Sequence, residues 1–282
     1  MATKFTSAGA DNLQWSYIAP SGYITGAANL DATDTGTSSS AARFKGLNNA
    51  AVALPDTTKV ATQGDDTILA NFMFGASAPF TFNITTQALD TAFLAAACGV
   101  TIVTEAERTM FAGATYYPSA NQLWLMLTRQ SKSLVTGSTG AKLYEHLEIP
   151  RAEVSFLGSA LNFQGAAEYN WSVTVNPTDV LPDGRSVSTV FTDAPDGMVS
   201  YILHSSDYRM TRTAFVGDGT ITAIPISYKA ASAGKTHATV ETTGFAAGTV
   251  SSVSTSSPYT ATLSAAPGSG KFSIVTHQFL NF

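Results

Sequence analysis

Charge is the scarcest ingredient of this 282-residue chain: Asp, Glu, Lys and Arg make up 12% of it, about half the ~25% of an ordinary soluble domain. Cysteine occurs once, at Cys98, which excludes an intrachain disulfide framework and a multi-cysteine zinc site. Its setting in the apolar stretch Ala92–Val100 reads as that of a buried, inert thiol. That stretch is far below the roughly 20 residues needed to span a bilayer, so no membrane insertion of this chain is expected. Met1–Ser7 carries Lys4 but no apolar core, so no secretory signal is expected either. Basic clusters are also missing, the nearest being Arg43 with Lys45 and Arg209 with Arg212. With a net charge of −5, this argues against sequence-specific nucleic-acid recognition, which shows a basic face.

Small, mildly polar residues take the place of charge. Ala (42), Ser (29) and Thr (38) together supply 109 residues, or 39% of the chain. Apolar residues still make up 44%, with 16 Phe, 10 Tyr and 3 Trp, so a packed core is expected and disorder is not. A surface this poor in charge is easiest to understand if copies of the chain cover much of it. The length suggests about two domains.

Patterning gives a mainly-β fold with one flanking helix. Residues Ala27–Thr67 read as a polar loop. Ile68–Phe74 and Phe80–Ile84 read as a strand pair joined through Gly75–Pro79. A helix is predicted over about 86–98, capped by Thr85 or Thr86 and ended by Gly99, with Leu89, Phe93 and Ala96 or Ala97 on one face. Leu123, Trp124, Leu125, Met126 and Leu127 form a run expected of a strand buried on both faces. Leu143–Ile149 alternates less cleanly. In Tyr169–Asn176 the alternation is strict: Tyr169, Trp171, Val173 and Val175 face one way, and Asn170, Ser172, Thr174 and Asn176 the other. Val187–Phe191 and Met198–His204 read as a last strand pair. Residues 206–282 then carry a net +2 against −7 for residues 1–205. Their short Thr/Ser/Val runs, broken by Gly and Pro, suggest a small Ig-like β-sandwich appended to a β-rich body over 1–205.

No catalytic or cofactor motif is found. Gly270-Lys271 lacks the rest of a phosphate loop, and neither Gly137–Gly140 nor Gly158–Ala160 fits a nucleophile elbow. The four histidines are far apart in sequence, and Asp31, Asp34, Asp65 and Asp66 lack the register of a calcium loop. No metal, cofactor or enzymatic activity is therefore expected. Trp15, Trp124 or Trp171 could build a carbohydrate-binding surface if exposed, although Trp124 and Trp171 have the neighbours of core residues.

The order of elements carries a resemblance. The strand pair and the helix ending at Gly99 precede long apolar strands. Then comes Glu148-Ile-Pro-Arg-Ala-Glu-Val-Ser-Phe156, which leads into Ala166–Val175 with its Tyr-x-Trp-x-Val-x-Val pattern. Over roughly residues 60–205 this resembles the major tail tube protein of long-tailed (siphovirus-like) bacteriophages. The segments Phe215-Val-Gly-Asp-Gly219 and Ala266-Pro-Gly-Ser-Gly270 are similar to a small β-module of phage tail and fibre proteins. The resemblance implies a non-enzymatic virion protein, made in the host bacterial cytoplasm, whose rings, usually of six subunits, stack into the tail tube. Its implied partners are copies of itself and the tape-measure, tail-terminator and baseplate proteins, while phage DNA transits the lumen without specific binding. Leu123–Leu127 with Tyr169, Trp171, Val173 and Val175 are then the candidate barrel wall. Asp31, Asp34, Arg43, Phe44 and Lys45, with the arm Ala2–Tyr17, are candidate ring contacts. The alternatives are another virion component (decoration, capsid or baseplate) or a carbohydrate-binding module.

Overall fold

The structure, a computed structural model, describes residues 5–25, 42–44, 47–51, 58–64, 67–74, 79–86, 89, 91–99, 101–105, 108–112, 122–133, 142–160, 168–193 and 197–279. They form a mainly-β protein. In chain order the first strands are β1 (Phe5–Tyr17), β2 (Ala42–Phe44), β3 (Leu47–Ala51), β4 (Thr58–Gly64), β5 (Thr67–Phe74) and β6 (Phe80–Thr86). After helix α1 (Thr91–Cys98) come β7 (Thr101–Glu105), β8 (Arg108–Ala112), β9 (Gln122–Ser133), β10 (Lys142–Ala160) and β11 (Glu168–Val175). A short helix α2 (Val187–Val190) precedes β12 (Ile202–Ser206), β13 (Arg209–Val216) and β14 (Ala223–Pro225). The last strands are β15 (Thr236–Glu241), β16 (Phe245–Gly248), β17 (Val250–Val253), β18 (Thr260–Leu263) and β19 (Phe272–Phe279).

The main sheet is antiparallel and runs β2-β1-β9-β10-β11-β6-β3, with β12 added beside the first half of β10. Its two end strands, β2 and β3, are three peptide links apart in the chain. At 3.80 Å per link their nearest Cα atoms cannot be more than about 11 Å apart, so the sheet curls round until its ends meet. The inward face supplies one apolar core from Leu13, Trp15, Leu123, Leu125, Leu127, Ile149, Val154, Trp171, Val173, Val175, Phe82 and Ile84. Helix α1 closes that core. Phe93 reaches Trp171 on β11 at a ring distance of 4.9 Å and Trp15 on β1 at 5.7 Å, strands three places apart in the sheet.

One irregularity sets which residues face inward. Between Ile149 and Ala152, β10 advances three residues while its partner β9 advances two. The extra residue falls at Pro150-Arg151, where proline's missing N–H cannot serve the ladder. The bulge switches parity: before it Leu147 and Ile149 point to the core, and after it Ala152, Val154 and Phe156 do. The Ile-Pro-x-Ala pattern therefore keeps apolar side chains of this 19-residue strand on the core side from Leu147 to Phe156.

Residues 209–279 form a four-stranded sheet, β13-β19-β15-β16, and a three-stranded sheet, β14-β18-β17. Ile224, Ile226, Ala238, Ala261, Leu263 and Val275 are packed between them. The change from the main sheet to this sandwich falls between Ser206 and Arg209.

Several expectations require correction. The helix begins at Thr91, not near 86, because Thr85 and Thr86 continue β6; Thr86 pairs with Tyr169 and Leu47, and its hydroxyl accepts the Trp171 indole N–H. Gly99, at φ +65, does end the helix as the sequence requires. The Ala27–Thr67 segment contains β2, β3 and β4, so much of it is sheet. Ile68–Phe74 does not pair with Phe80–Ile84: β5 pairs with β4, and β6 lies between β11 and β3. Val187–Phe191 is not a strand: Val187–Val190 is the short helix α2, and of its residues only Val187 is buried, so no period-2 face is formed. Of the candidate contact arm Ala2–Tyr17, the part Phe5–Tyr17 is strand β1, paired with β9.

Candidate functional site

The chemistry of the chain concentrates where the C-terminal sandwich meets the outer face of the main sheet. Because side chains alternate along a strand, Leu123, Leu125 and Leu127 point into the barrel while Trp124 and Met126 point out. Outside, Trp124 and Met126 pack with Ile24, Met210, Ala214 and Ile274 in a second apolar cluster. Tyr23 adds ring contacts to Phe245 at 4.8 Å and Phe272 at 5.3 Å. The five-residue apolar run is thus buried on both faces, by two different partners.

At its centre is Glu148, on β10 and fully buried. Arg212, on β13, grips it bidentately: Nε donates to Oε1 at 2.5 Å and Nη2 to Oε2 at 2.9 Å. The Trp124 indole N–H donates to Oε1 at 2.8 Å, and His204 Nε2 lies 2.7 Å from Oε2. Arg212 Nη1 donates further to the Thr276 hydroxyl. Burial alone would raise the Glu148 pKa, but the Arg212 charge and the bonds from His204 and Arg212 outweigh it. The carboxyl is held well below its ordinary range. Burial would likewise lower Arg212, and the Glu148 charge raises it instead. Both groups are fixed in their charged forms, so this constellation is a lock and not a proton-transfer site.

Further bonds cross the same junction. Gln14 Nε2 donates to the Met210 carbonyl at 2.9 Å, and Thr239 Oγ1 donates to the Asp183 carbonyl at 2.7 Å. His146 bridges the Thr128 hydroxyl at 3.0 Å and the Tyr208 carbonyl at 3.2 Å. Gly184, at φ +85, lies flat beneath the Phe245 ring, where an added Cβ would come within 2.2 Å of Cδ2.

Past the bulge the outer face is open. Ser155, Ser172 and Asn83 form one cross-strand row; Glu153, Thr174 and Thr81 form the next. Thr85 donates to Asn170 at 3.0 Å within the same surface. On β6 and β11 this face carries neither Lys nor Arg.

The residues singled out in the sequence fall into three groups. Leu123–Leu127, Trp171, Val173 and Val175 are buried inside the chain, with Tyr169 half-buried, and both β9 and β11 are paired along both edges. Trp15, Trp124 and Trp171 are buried as well and offer no exposed aromatic platform. Arg43 and Phe44 lie on β2, opposite Gln14 and Leu13, whereas Asp31, Asp34 and Lys45 lie outside the described residues. Cys98 is free and half-buried.

The two glycine motifs of the C-terminal region meet each other. Gly217 N–H donates to the Lys271 carbonyl at 2.8 Å, Gly219 N–H to the Pro267 carbonyl at 3.1 Å, and Gly270 N–H to the Gly217 carbonyl at 2.8 Å. A Cβ on Gly217 would stand 2.6 Å from the Pro267 carbonyl oxygen. These motifs make a backbone clasp between two loops. The Glu148–Arg212 lock was not read from the sequence, since its members are 64 residues apart. The available signal was Glu148 in an alternating strand, followed by an Arg between apolar and Thr residues in β13.

Among the described residues no cluster of three or more His, Cys, Asp or Glu could hold a metal ion, and no helix is long and apolar enough to cross a membrane. No protein-family model matches the chain, and no curated protein matches it.

Proposed function

We propose that this chain is a structural virion protein that self-assembles into stacked, six-membered rings forming a bacteriophage tail tube through which DNA passes. The supporting observation is a curled β-sheet closed by one short helix, in which a proline bulge leads into the amphipathic strand Glu168–Val175. These are the elements that carry the sequence resemblance. The Lys- and Arg-free face of β6 and β11 adds to it, because a surface beside moving DNA must not bind phosphates. The junction lock supports an outward C-terminal sandwich held rigidly, without a flexible tether.

A second virion role, as a decoration, capsid or baseplate protein, draws on a different observation. Strands β9 and β11 are paired on both edges within one chain and leave no edge there for a neighbour. Subunits would then join through hairpins and loops, and the barrel would enclose a core instead of a lumen. Negative-stain microscopy of the concentrated protein separates the two. Six-fold rings or tubes support the tail tube, icosahedral or three-fold particles support the second role, and monodisperse monomer contradicts both.

A further inference from the structure

Beside the junction lies a cleft of about 580 Å³, within the roughly 300–1,000 Å³ of small-ligand sites. One wall is the loop carrying Asp183 and Arg185. The β15–β16 side of the C-terminal sandwich supplies His237, Thr239 and Thr249 to its lining, and Gly234 lines it as well.

The polar groups of this cleft are balanced in charge. Arg185 donates to Asp183 Oδ2 from Nη2 at 2.6 Å and from Nε at 3.0 Å, and Asp183 Oδ1 accepts the Arg185 backbone N–H at 3.2 Å. An anion entering here meets the Asp183 carboxylate, and a cation meets the Arg185 guanidinium. Hydroxyl groups both donate and accept, so they can use both members of the pair at once. Thr239 spends its own proton on the Asp183 carbonyl and keeps acceptor capacity. Neither Thr249 nor His237 spends its side chain on a partner among the described residues.

From this arrangement we infer that the cleft binds a neutral, hydroxyl-rich ligand, a sugar unit, through Asp183, Arg185, His237 and Thr249. The inference does not rest on the tube assignment and applies to either virion role.

An NMR titration of the full chain with neutral hexoses and short hexose oligomers tests it. The expected result is saturable shifts of the His237 and Thr249 amides, stronger than those caused by acetate or sulfate. Gly234→Phe plugs the cleft without strain: its φ is ordinary, and an added Cβ meets nothing nearer than Ser232 Oγ at 4.0 Å. That variant should lose at least about tenfold in affinity with an unchanged melting temperature, and Arg185→Met should lose a similar factor. Three results would each overturn the proposal: no saturable shift with any of these sugars, stronger binding of either anion, or full affinity in Gly234→Phe.

Discussion

The two faces of the main sheet are buried by different means. Inward, side chains of the barrel and α1 meet in an apolar core with Phe93 between Trp15 and Trp171. Outward, the C-terminal sandwich covers part of the sheet through an apolar cluster beside the buried Glu148–Arg212 pair. An apolar core tolerates exchanges of similar volume. A desolvated ion pair does not, because either charge left alone is costly. The first surface holds the barrel together; the second fixes the register of the sandwich on the barrel.

The largest expected effect comes from removing the outer cover. Truncation after Ser206 strips Trp124 and Met126 of Met210, Ala214 and Ile274 and leaves Glu148 without Arg212. The lost charge partner alone costs about 3–5 kcal/mol, a large share of the 5–15 kcal/mol of a typical domain. The truncated chain is expected to be insoluble or to lose its near-ultraviolet circular dichroism, and a cooperative melt like that of the intact protein would show the faces to be independent. Glu148→Ala is next, at about 3–5 kcal/mol in urea unfolding. The double change Glu148→Leu with Arg212→Met should recover most of that loss, and no recovery would mean that the pair contributes more than mutual neutralisation.

Acid separates the sandwich core from the junction. His277 is buried in the sandwich with no well-formed hydrogen bond to either ring nitrogen. Burial pushes its pKa down from 6.5 to about 4, with the Tyr228 backbone opposing weakly. The unfolded chain therefore takes up this proton first. Stability should fall as pH drops from about 6.5 to about 4, by up to about 3 kcal/mol, and level off below. Glu148 acts in a lower window. Its depressed pKa gives stability that is fully present above the ordinary value of 4.5 and is lost as pH falls further. His277→Leu should flatten the upper limb and leave the lower one; an unchanged pH profile would rule out His277 as its source.

Smaller effects complete the series. Gly184→Ala forces a Cβ against Phe245 at a positive φ and should cost about 1–3 kcal/mol, read as a lower melting temperature. Ser172→Ala, on the open half of the same face, should stay within about 0.5 kcal/mol of the parent. A larger loss there would mean that the open face is covered.

Legibility in the sequence followed how each face is buried. Glu168–Val175 was readable because one side is core and the other is open, so the period of two survives intact. Leu123–Leu127 was readable as doubly buried, but nothing local identified its two covers. Along β10 the more deeply buried side before the bulge carries Tyr144, His146 and Glu148, polar residues whose partners lie far along the chain. The segment 42–64 looked like loop because Asn, Ala and Thr dominate it. The junction lock depends on pairing across 64 residues, which no local pattern encodes.

The most direct test of the assembly is a cryo-electron microscopy map of the concentrated protein, at a resolution that traces strands. The expected result is a stack of six-fold rings around an open channel, with residues 209–279 on the outer wall and the Asn83, Ser172 and Thr174 face of β6 and β11 toward the bore. A closed shell, a filled centre or a C-terminal sandwich inside the channel would contradict it.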